Sequence, residues 1–247
     1  MKFIASVSFG KDSLAMLLRL LEEKWPLDAV IFYNTGMEFN SIYRIKDRAK
    51  ELLLKEGVEF VELVPPEPFL YSMLERPVKF KNKDGFHYGY GWCGGPCRWG
   101  TRDKIREIKK YKASLHDDVI DYVGIAADEP HRFEKAKAEG KRLPLVEWGM
   151  TEADCLSYCH ERGWFWYEDT PNGEIELYTI LDRVSCWCCA NKNKKELKNI
   201  YTYLPTYWDS LKDLQSRIEM PFKKYQRNGV QYGDIYSLEE LFKKGTE

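Results

Sequence analysis

The fold is decided by the stretch Ser8-Phe9-Gly10-Lys11-Asp12-Ser13. It follows a short apolar run, residues 3–7, and it opens a helical pattern of leucines over residues 14–21. A strand, a glycine turn and a helix in this order place backbone amides and the positive end of the helix dipole at the turn. Gly10 allows close backbone approach, while the serines and the lysine add hydroxyl and ammonium donors. The stretch therefore predicts an anion site; the alternative is an ordinary turn with a chance Lys-Asp pair.

Strand and helix patterns alternate along the first half of the chain. Residues 29–33 and 59–63 are apolar strands separated by a long amphipathic helix that ends near Glu56, and residues 119–125 are a fourth strand. This alternation predicts an α/β fold with a doubly wound parallel sheet. Ligands of such sheets bind at the carboxyl ends of the strands, where residues 8–13 and residues 34–39 both fall.

Shorter elements are predicted along the remainder of the chain. Residues 68–75 indicate a short helix, residues 77–92 a long loop or lid, and residues 98–112 a basic helix. The later patterns indicate a helix from its N-cap Thr151 to about Arg162, a strand or loop at 175–181, and amphipathic helices at 194–203 and 206–219. Ser237-Leu238-Glu239-Glu240 is typical of a capping box that opens a last helix.

Length and composition narrow the class of protein. The chain has 247 residues, 44% of them hydrophobic, and a net charge of −1. No apolar stretch has the length of a membrane span, and the N-terminal run is too short for a secretory signal, so we expect no membrane partner and a cytoplasmic location. We expect a nucleotide-binding domain at residues 1–182 and a cysteine-containing helical extension at residues 183–247.

Seven cysteines are present, and four of them have the spacing of ligand pairs. Cys93 and Cys97 form C-x₃-C, and Cys186 and Cys189 form C-x₂-C, with Cys188 spare or substituting. Four thiolates suit tetrahedral Zn²⁺ or a [4Fe–4S] cluster, and spacing alone leaves the metal open. Three ligands with one open iron, or a persulfide on a free thiolate, are further options. The other alternative is core packing, which we expect for the helical pair Cys155 and Cys159.

Positive charge is concentrated in the two segments that hold these cysteine pairs. Residues 76–112 contain 11 Lys/Arg against 3 Asp/Glu, a balance of +8, and residues 183–227 contain 10 against 4, a balance of +6. Aromatic residues interleave with the charges of the first segment: Phe80, Phe86, Tyr88, Tyr90, Trp92 and Trp99. Base stacking and phosphate contacts would make such segments a nucleic-acid site. The alternative is solvated lysines beside core aromatics.

Four ordered blocks show a resemblance to a known family. Residues 8–13 resemble the PP-loop of the ATP pyrophosphatases, and residues 33–39 resemble the adenosine-side segment of their PAPS reductase branch, with Asn34 in place of Asp. Residues 124–129 with Arg132 resemble that branch's Gly-Ile-Arg-x-Asp-Glu block, and residues 143–148 its Pro-Leu-x-x-Trp stretch. The resemblance covers roughly residues 1–200 and is specific for the superfamily.

The resemblance implies an adenine nucleotide alpha-hydrolase-like, Rossmann-like fold and a set of site residues. ATP phosphates would be bound by Ser8, Phe9, Gly10, Lys11, Asp12 and Ser13, and adenosine by Thr35, Gly36 and Glu38. Lys11 would offset charge as pyrophosphate leaves, and Asp12 or Asp128 would hold Mg²⁺. Arg132 would reach phosphate or sulfate.

Two features of the chain differ from those of the sulfonucleotide reductases. The Lys11-Asp12 pair is typical of relatives that cleave ATP, and the reductases' Glu-Cys-Gly-x-His motif is missing from the sequence. Residues 184–189 instead look like the Gly-Cys-x-x-Cys-Pro element of DNA-phosphorothioation proteins, with Ser185 and Ala190 at the flanks. The resemblance favours a [4Fe–4S] cluster over zinc at Cys93, Cys97, Cys186 and Cys189.

Together these features predict an enzyme that cleaves ATP to AMP and pyrophosphate and activates an acceptor for sulfur transfer at the cysteine site. The expected acceptor is a nucleic acid, the expected sulfur source a donor protein, and a homodimer is left open. One alternative is a sulfonucleotide (PAPS/APS) reductase or a sulfate-activating enzyme. The other is a non-catalytic, metal-bound nucleic-acid-binding module.

Overall fold

Strand β1 (Lys2–Ser6) runs into the glycine turn and then into helix α1 (Lys11–Glu22) in the computed structural model, which describes residues 1–223, 226–227, 230–231 and 233–244. The further elements are, in chain order, β2 (Ala29–Tyr33), α2 (Asn40–Lys55), β3 (Glu59–Leu63), α3 (Phe69–Leu74), β4 (Pro77–Lys79), β5 (Phe86–Tyr88), α4 (Lys104–Ser114), β6 (Val119–Val123), α5 (Phe133–Ala138), β7 (Lys141–Arg142), α6 (Pro144–Glu147), α7 (Glu152–Glu161), β8 (Tyr167–Thr170), β9 (Gly173–Glu176), α8 (Lys194–Tyr203), α9 (Pro205–Ser216), β10 (Gln226–Arg227), β11 (Val230–Gln231) and α10 (Ile235–Lys243). No helix among these described residues is long and apolar enough to span a membrane.

The central sheet has five parallel strands in the order β3-β2-β1-β6-β7. Ile4 of β1 is in register with Ala29 on one side and with Asp121 on the other. The α/β fold with a parallel sheet is therefore confirmed. After β1 the chain adds β2 and β3 on one side of β1, and later adds β6 and β7 on the other side. The direction of winding therefore reverses between β1 and β6, and sheets of this kind bind ligands at that point, beyond the carboxyl ends of the strands.

The core explains why the first strand and the first helix form where they do. All five residues of β2 are buried, and β1 lies between β2 and β6, so these strands read as continuous apolar runs. Helix α1 buries Leu14, Leu17 and Leu20 completely. Burial of each of these side chains contributes about 1.5–3 kcal/mol relative to exposure. The helix is thereby held firmly behind the turn that precedes it.

The chain divides into two compact units, each made of separate segments. The first unit consists of Met1–Asn34, Glu38–Val64 and Asp103–Trp166, and it contains the parallel sheet. The second unit consists of Thr35–Met37, Pro65–Arg102 and Tyr167–Glu247. The expected division at residue 182 stays a prediction.

Residues 77–92 differ from the loop that the sequence predicted. Strands β4 and β5 pair antiparallel there and form a hairpin, with Lys79 opposite Phe86. The turn is closed by the Phe80 amide donating to the Gly85 carbonyl at 3.2 Å, and Gly85 has φ +102°, a conformation that favours glycine. Three-residue strands are too short for a clear alternation pattern, which is why the loop-like composition dominated the prediction.

Two helix starts are also corrected. The predicted basic helix at residues 98–112 begins with a π-helical turn, Arg98–Asp103, before regular α4. The last helix is capped by Asp234, whose side chain accepts from the Ser237 amide at 2.8 Å, so Ser237 is inside the helix and opens no capping box. A carboxylate is as good an N-cap as a serine hydroxyl, and Ile235 following it supplies a buried first turn. The other predicted helices, α3, α7, α8 and α9, are confirmed to within a few residues.

Candidate functional site

The turn after β1 is held open by an unusual backbone at Phe9. Phe9 has φ +60°, a conformation that bulky residues rarely adopt. Its ring is fully buried and packs against Phe32 at a centroid distance of 5.2 Å, and its carbonyl accepts from Trp166 Nε1 at 2.7 Å. Phe9 therefore shapes the turn through its backbone, while its ring belongs to the core. A strained residue held by packing is a common feature of ligand clamps.

A ring of hydrogen bonds closes the same turn. The Ser13 hydroxyl donates to the Gly10 carbonyl and accepts from the Ser8 amide, both at 3.1 Å. The two serine hydroxyls are also 3.1 Å apart. Gly10 is extended and no side chain caps the first turn of α1. A helix start without a side-chain cap retains donor amides that suit an anion.

Lys11 is buried at this helix start among carboxylates. Its side chain is 8% exposed, and its Nζ donates to Glu152 and is 3.3 Å from Asp12 Oδ1. Burial lowers the pKa of Lys11, but the hydrogen bond to Glu152 and the charges of both carboxylates outweigh it, so the net pKa is raised. Lys11 is therefore a fixed positive charge at the turn.

Asp12 is the most perturbed carboxyl of this site. Burial raises its pKa from 3.8 to about 6, with Lys11 opposing the shift and Glu152 adding to it. Asp12 Oδ1 is buried without a hydrogen bond from the described residues, apart from its ion pair with Lys11. A shielded carboxylate oxygen of this kind fits a hard cation such as Mg²⁺.

Glu152 is the functional candidate that sequence reasoning missed. It is the first residue of α7, and its amide donates to Asp128 Oδ1 at 3.0 Å while its carboxylate holds Lys11. It thus links two predicted site residues that are 117 positions apart. An acidic residue in the first turn of a helix is ordinary, because it complements the helix dipole, so the sequence carried no functional signal for it.

Gly124 allows the end of β6 to approach the start of α1. A Cβ at this position would be 2.8 Å from the Ser13 Cα, a backbone atom that has little freedom to move. The chain then continues to Asp128 and to Arg132, which is 44% exposed and pairs with Glu129 at 2.5 Å. Glu152 therefore contacts both Lys11 and Asp128, and Lys11 in turn pairs with Asp12. Arg132 pairs with Glu129.

Thr35 lies with a cysteine in the second unit. Its hydroxyl is buried, accepts from the Met37 amide at 3.2 Å and is 3.5 Å from Cys186 Sγ. The Trp187 amide donates to the Met37 carbonyl at 3.0 Å, so the segment 35–37 and the C-x₂-C segment are bonded directly. Gly36 has φ +79°, and Glu38 donates its amide to the Tyr43 hydroxyl at 3.4 Å. Adenosine binding by Thr35, Gly36 and Glu38 stays a prediction.

The two cysteine pairs are brought together by Asn191. Its side chain accepts from the Gly95 amide at 2.7 Å and donates to the Gly95 carbonyl at 3.0 Å, which ties the C-x₃-C turn to the C-x₂-C segment. Burial raises the pKa of the Cys97 thiol, and the neighbouring thiols Cys93 and Cys189 raise it further. Cysteines almost a hundred residues apart in the sequence are therefore neighbours in the second unit.

Two lysines bring positive charge to this cysteine cluster (Cys93, Cys97, Cys186, Cys188 and Cys189). Lys192 is 3% exposed. Burial lowers its pKa, while Cys189, Glu196 and the other nearby thiols oppose the shift. Lys223 donates its ammonium to the backbone carbonyls of Ala190 and Lys192 and so braces the segment that carries the cysteines. The sequence predicted that positive charge would lie beside the cysteines, and Lys192 and Lys223 do so.

The cysteine cluster contains the type of ligand that a thiolate-bound metal requires. All five cysteines are free thiols, and Cys188 and Cys189 differ in exposure, the first buried and the second half-buried. Across residues 1–223 and the shorter described ranges, no three His, Cys, Asp or Glu side chains are arranged as a metal-holding group. The ligand set Cys93, Cys97, Cys186 and Cys189 stays a prediction, as does the choice between a [4Fe–4S] cluster and zinc.

Cys155 and Cys159 belong to the core, as predicted. Both are fully buried on α7, and the Cys159 thiol donates to the Lys11 carbonyl at 3.6 Å. Burial raises the pKa of Cys159 to about 12 and that of Cys155 still further above its usual value. These thiols are inert at neutral pH and pack α7 against α1.

Comparison with known proteins finds a family match for the first third of the chain. Residues 2–82 match the family model described as Phosphoadenosine phosphosulfate reductase domain, which confirms the predicted resemblance there. Over 216 residues the chain is 24% identical to uncharacterized protein MJ0066 of Methanocaldococcus jannaschii; the match covers 83% of this chain but 40% of that protein. The U34-tRNA thiolase NcsA from Methanococcus maripaludis, solved with its [4Fe-4S] cluster, matches with a TM-score of 0.45 and 15% identity, over 99% of this chain and 71% of that one.

Proposed function

We propose that the protein cleaves ATP to AMP and pyrophosphate and so activates a nucleic-acid acceptor for sulfur transfer. The proposal starts from the match of residues 2–82 to the Phosphoadenosine phosphosulfate reductase domain model. The observation that carries the proposal is the buried ammonium of Lys11 beside a helix start that no side chain caps. Sulfonucleotides and ATP share the adenosine and the α-phosphate, but ATP alone requires charge to be offset on a leaving pyrophosphate.

The phosphate chain would replace Glu152 as the partner of Lys11. The Lys11 ammonium donates to Glu152 and forms an ion pair with Asp12. Phosphate oxygens can make the same charge-assisted hydrogen bonds, and they also reach the amides at the start of α1. As the bond between the α- and β-phosphates breaks, negative charge grows on the leaving group. An ammonium held in place beforehand stabilises this charge without reorganisation.

Asp12 and Asp128 would hold the Mg²⁺ that accompanies ATP. Mg²⁺ supplies charge neutralisation and usually binds one or two carboxylates plus phosphate oxygens. The shielded Oδ1 of Asp12 fits that role, and Asp128 is oriented by the Glu152 amide. The arrangement favours a nucleotide bound with its metal over a sulfonucleotide.

The cysteine cluster would supply the sulfur chemistry. Cys93, Cys97, Cys186 and Cys189 would hold a [4Fe–4S] cluster or zinc, and a bound cluster would offer iron as a site for inorganic sulfur. The chain's own contribution is charge: the ammonium groups of Lys192 and Lys223 lie near the thiols, where they would offset part of the negative charge of a thiolate-bound group. We further propose that the sulfur comes from a donor protein and that the enzyme works in the cytoplasm.

Pyrophosphate release from ATP tests the proposal. Wild-type protein, supplied with Mg·ATP, sulfide and a nucleic-acid acceptor, should release pyrophosphate, and Lys11→Ala should lower the rate by at least 100-fold. The matched control is Lys24→Ala, whose side chain is 74% exposed and pairs with Glu56; it should retain the wild-type rate. Release of sulfite from PAPS without pyrophosphate release from ATP would contradict the proposal in favour of a reductase. Loss of cysteine-bound metal in Lys11→Ala would show that the loop is structural.

A further inference from the structure

We propose that the exposed face of the β4–β5 hairpin binds unpaired nucleotides of a single-stranded nucleic acid. The proposal deepens the proposed function, since it rests on a nucleic acid being the acceptor. It identifies the surface that recognises the acceptor and the form of acceptor that fits it. The hairpin lies within the second unit, and every contact used below is made inside that unit.

The strand register places two aromatic rings on one solvent-facing side. Pro77 is opposite Tyr88 and Lys79 is opposite Phe86, so these four residues share a face of the hairpin. Phe86 is 60% exposed and Tyr88 is 74% exposed. The other face carries the half-buried Val78 and the exposed His87 opposite it. Large rings with this exposure, next to each other on one face, mark an interaction surface.

The spacing of these rings suits stacked bases. Phe86 and Tyr88 are two positions apart on the same strand, which corresponds to about 7 Å along the strand. Adjacent bases of an extended single strand can each stack on one ring at such a spacing, and every base has a face to offer. Bases inside a duplex are already stacked on each other, so the surface selects unpaired nucleotides.

The charge of the hairpin suits a phosphate backbone and argues against an apolar partner. Lys79, Lys81 and Lys83 are all exposed, and Asp84 is the one acid between residues 77 and 88. Lys79 lies on the same face as Phe86 and Tyr88, whereas Lys83 Nζ lies 4.1 Å from the centroid of the Phe80 ring, which contacts His87 on the other face. Val78, which is half-buried, is the one aliphatic residue of this segment. Surfaces that bind single strands combine aromatic side chains, on which bases stack, with cationic side chains that contact the phosphates.

The hairpin is anchored, so its face is presented in a fixed orientation to helix α3. The amide of Gly89 donates to the Arg76 carbonyl at 2.8 Å, and the amides of Tyr90 and Gly91 donate to Ser72 and Met73 carbonyls at 3.2 and 3.0 Å. Gly89 has φ +67°, and a Cβ there would be 2.2 Å from the Met73 carbonyl oxygen. The close approach of Gly89 to Met73 requires glycine at this position. Because the hairpin is fixed to α3, less conformational entropy is lost when a base stacks on its rings.

Fluorescence anisotropy tests the proposal with labelled twelve-nucleotide oligouridine, oligothymidine and a duplex of the same length. Wild-type protein should bind the unpaired oligonucleotides at least tenfold more tightly than the duplex, and the RNA and DNA arms identify the natural form. Phe86→Ala/Tyr88→Ala should weaken binding at least tenfold. The matched control, Tyr167→Ala/Tyr236→Ala, removes rings that are 40% and 44% exposed outside the hairpin and should bind as wild type. Equal binding by the hairpin variant and the control, or tighter binding of the duplex, would overturn the proposal.

Two further measurements separate this proposal from the enzyme activity. Lys11→Ala should bind the oligonucleotides as wild type does, although it releases no pyrophosphate. Cross-linking with an oligonucleotide that contains 5-iodouridine should label the peptide with Phe86 and Tyr88 in unaltered protein, which avoids any effect of substitution on folding. A label confined to other peptides would overturn the hairpin proposal while leaving the ATP proposal standing. Binding at the hairpin without pyrophosphate release by wild-type protein would overturn the ATP proposal and leave the hairpin proposal standing.

Discussion

Three residues at the turn between β1 and α1 have backbone conformations or charge states that are unfavourable for their residue type. Phe9 has a left-handed backbone, Lys11 is a buried cation, and Asp12 is a half-buried acid with a buried Oδ1 and a raised pKa. Each of these features costs folding free energy. Packing of the Phe9 ring against Phe32 holds the backbone of Phe9, and the Glu152 carboxylate holds the Lys11 ammonium. Such costs concentrate at binding sites, because a preorganised charge is useful only where a ligand arrives.

Asp12 gives the turn a pH-dependent contribution to stability. Because its pKa is raised from 3.8 to about 6 in the folded chain, the folded state binds its proton more tightly than the unfolded state does. This contribution is present below pH 4 and is lost as the pH rises through 6, up to about 3 kcal/mol in total. Asp12→Asn should therefore raise the free energy of unfolding relative to wild type more at pH 7.5 than at pH 5.

Urea unfolding of both proteins at the two pH values measures this difference. The control is Asp47→Asn, whose side chain is 69% exposed, and for which the same pH change should leave the difference constant. If Asp12→Asn shows the same difference from wild type in the free energy of unfolding at both pH values, the Asp12 carboxyl does not have the raised pKa described here.

At the scale of elements, the site is made by the packing of β6 and α7 against the start of α1. The end of β6 approaches α1 at Gly124, and α7 brings Glu152 to Lys11. Helix α7 is fixed by its own capping box, with Thr151 and Asp154 bonded reciprocally, and by Arg162 and Tyr158 on Glu22 of α1. The chemistry of the turn thus depends on two elements that are distant from it in sequence.

Gly124→Ala should disturb the turn without touching any ligand-binding side chain. The added Cβ would be 2.8 Å from the Ser13 Cα, so the start of α1 must shift, which typically costs about 1–3 kcal/mol. ATP affinity, measured by calorimetry, should fall at least tenfold. The control is Gly100→Ala, where a Cβ meets nothing within 4 Å. Unchanged ATP affinity in Gly124→Ala would mean that nucleotide does not bind at the start of α1.

At the scale of the whole molecule, each unit is assembled from segments that are far apart in the chain. Thr35–Met37, the C-x₃-C turn and the C-x₂-C segment all belong to the second unit, joined through Cys186 and Asn191. Positive charge comes to the same place, because Lys192 and Lys223 lie beside the thiols. A buried ammonium such as that of Lys192 is costly to bury, so its position beside the thiols marks this cluster as a candidate site.

Metal content after anaerobic purification tests the cysteine cluster. We expect a broad absorption near 400 nm, with iron and sulfide in the protein, that is lost in Cys93→Ser and Cys186→Ser. Cys155→Ser, which changes a buried core thiol, should retain the metal. Stoichiometric zinc without colour would make the cluster a structural clamp, and sulfur transfer would lose its main support. Comparison of Cys188→Ser with Cys189→Ser identifies the fourth ligand.

The sequence by itself determined the parallel sheet, the glycine turn between β1 and α1, and the burial of Cys155 and Cys159. Each of these has a local signature: apolar runs, a glycine before a helix, and a helical spacing of four residues. Tertiary structure alone decided that Glu152 holds Lys11, that Phe9 shapes the turn through its backbone, and that Asn191 joins the cysteine pairs. The β4–β5 hairpin was also beyond the sequence, since three-residue strands carry almost no periodicity. The physical reason is the same in each case: these features depend on contacts between distant segments, and local patterns do not encode which distant segments meet.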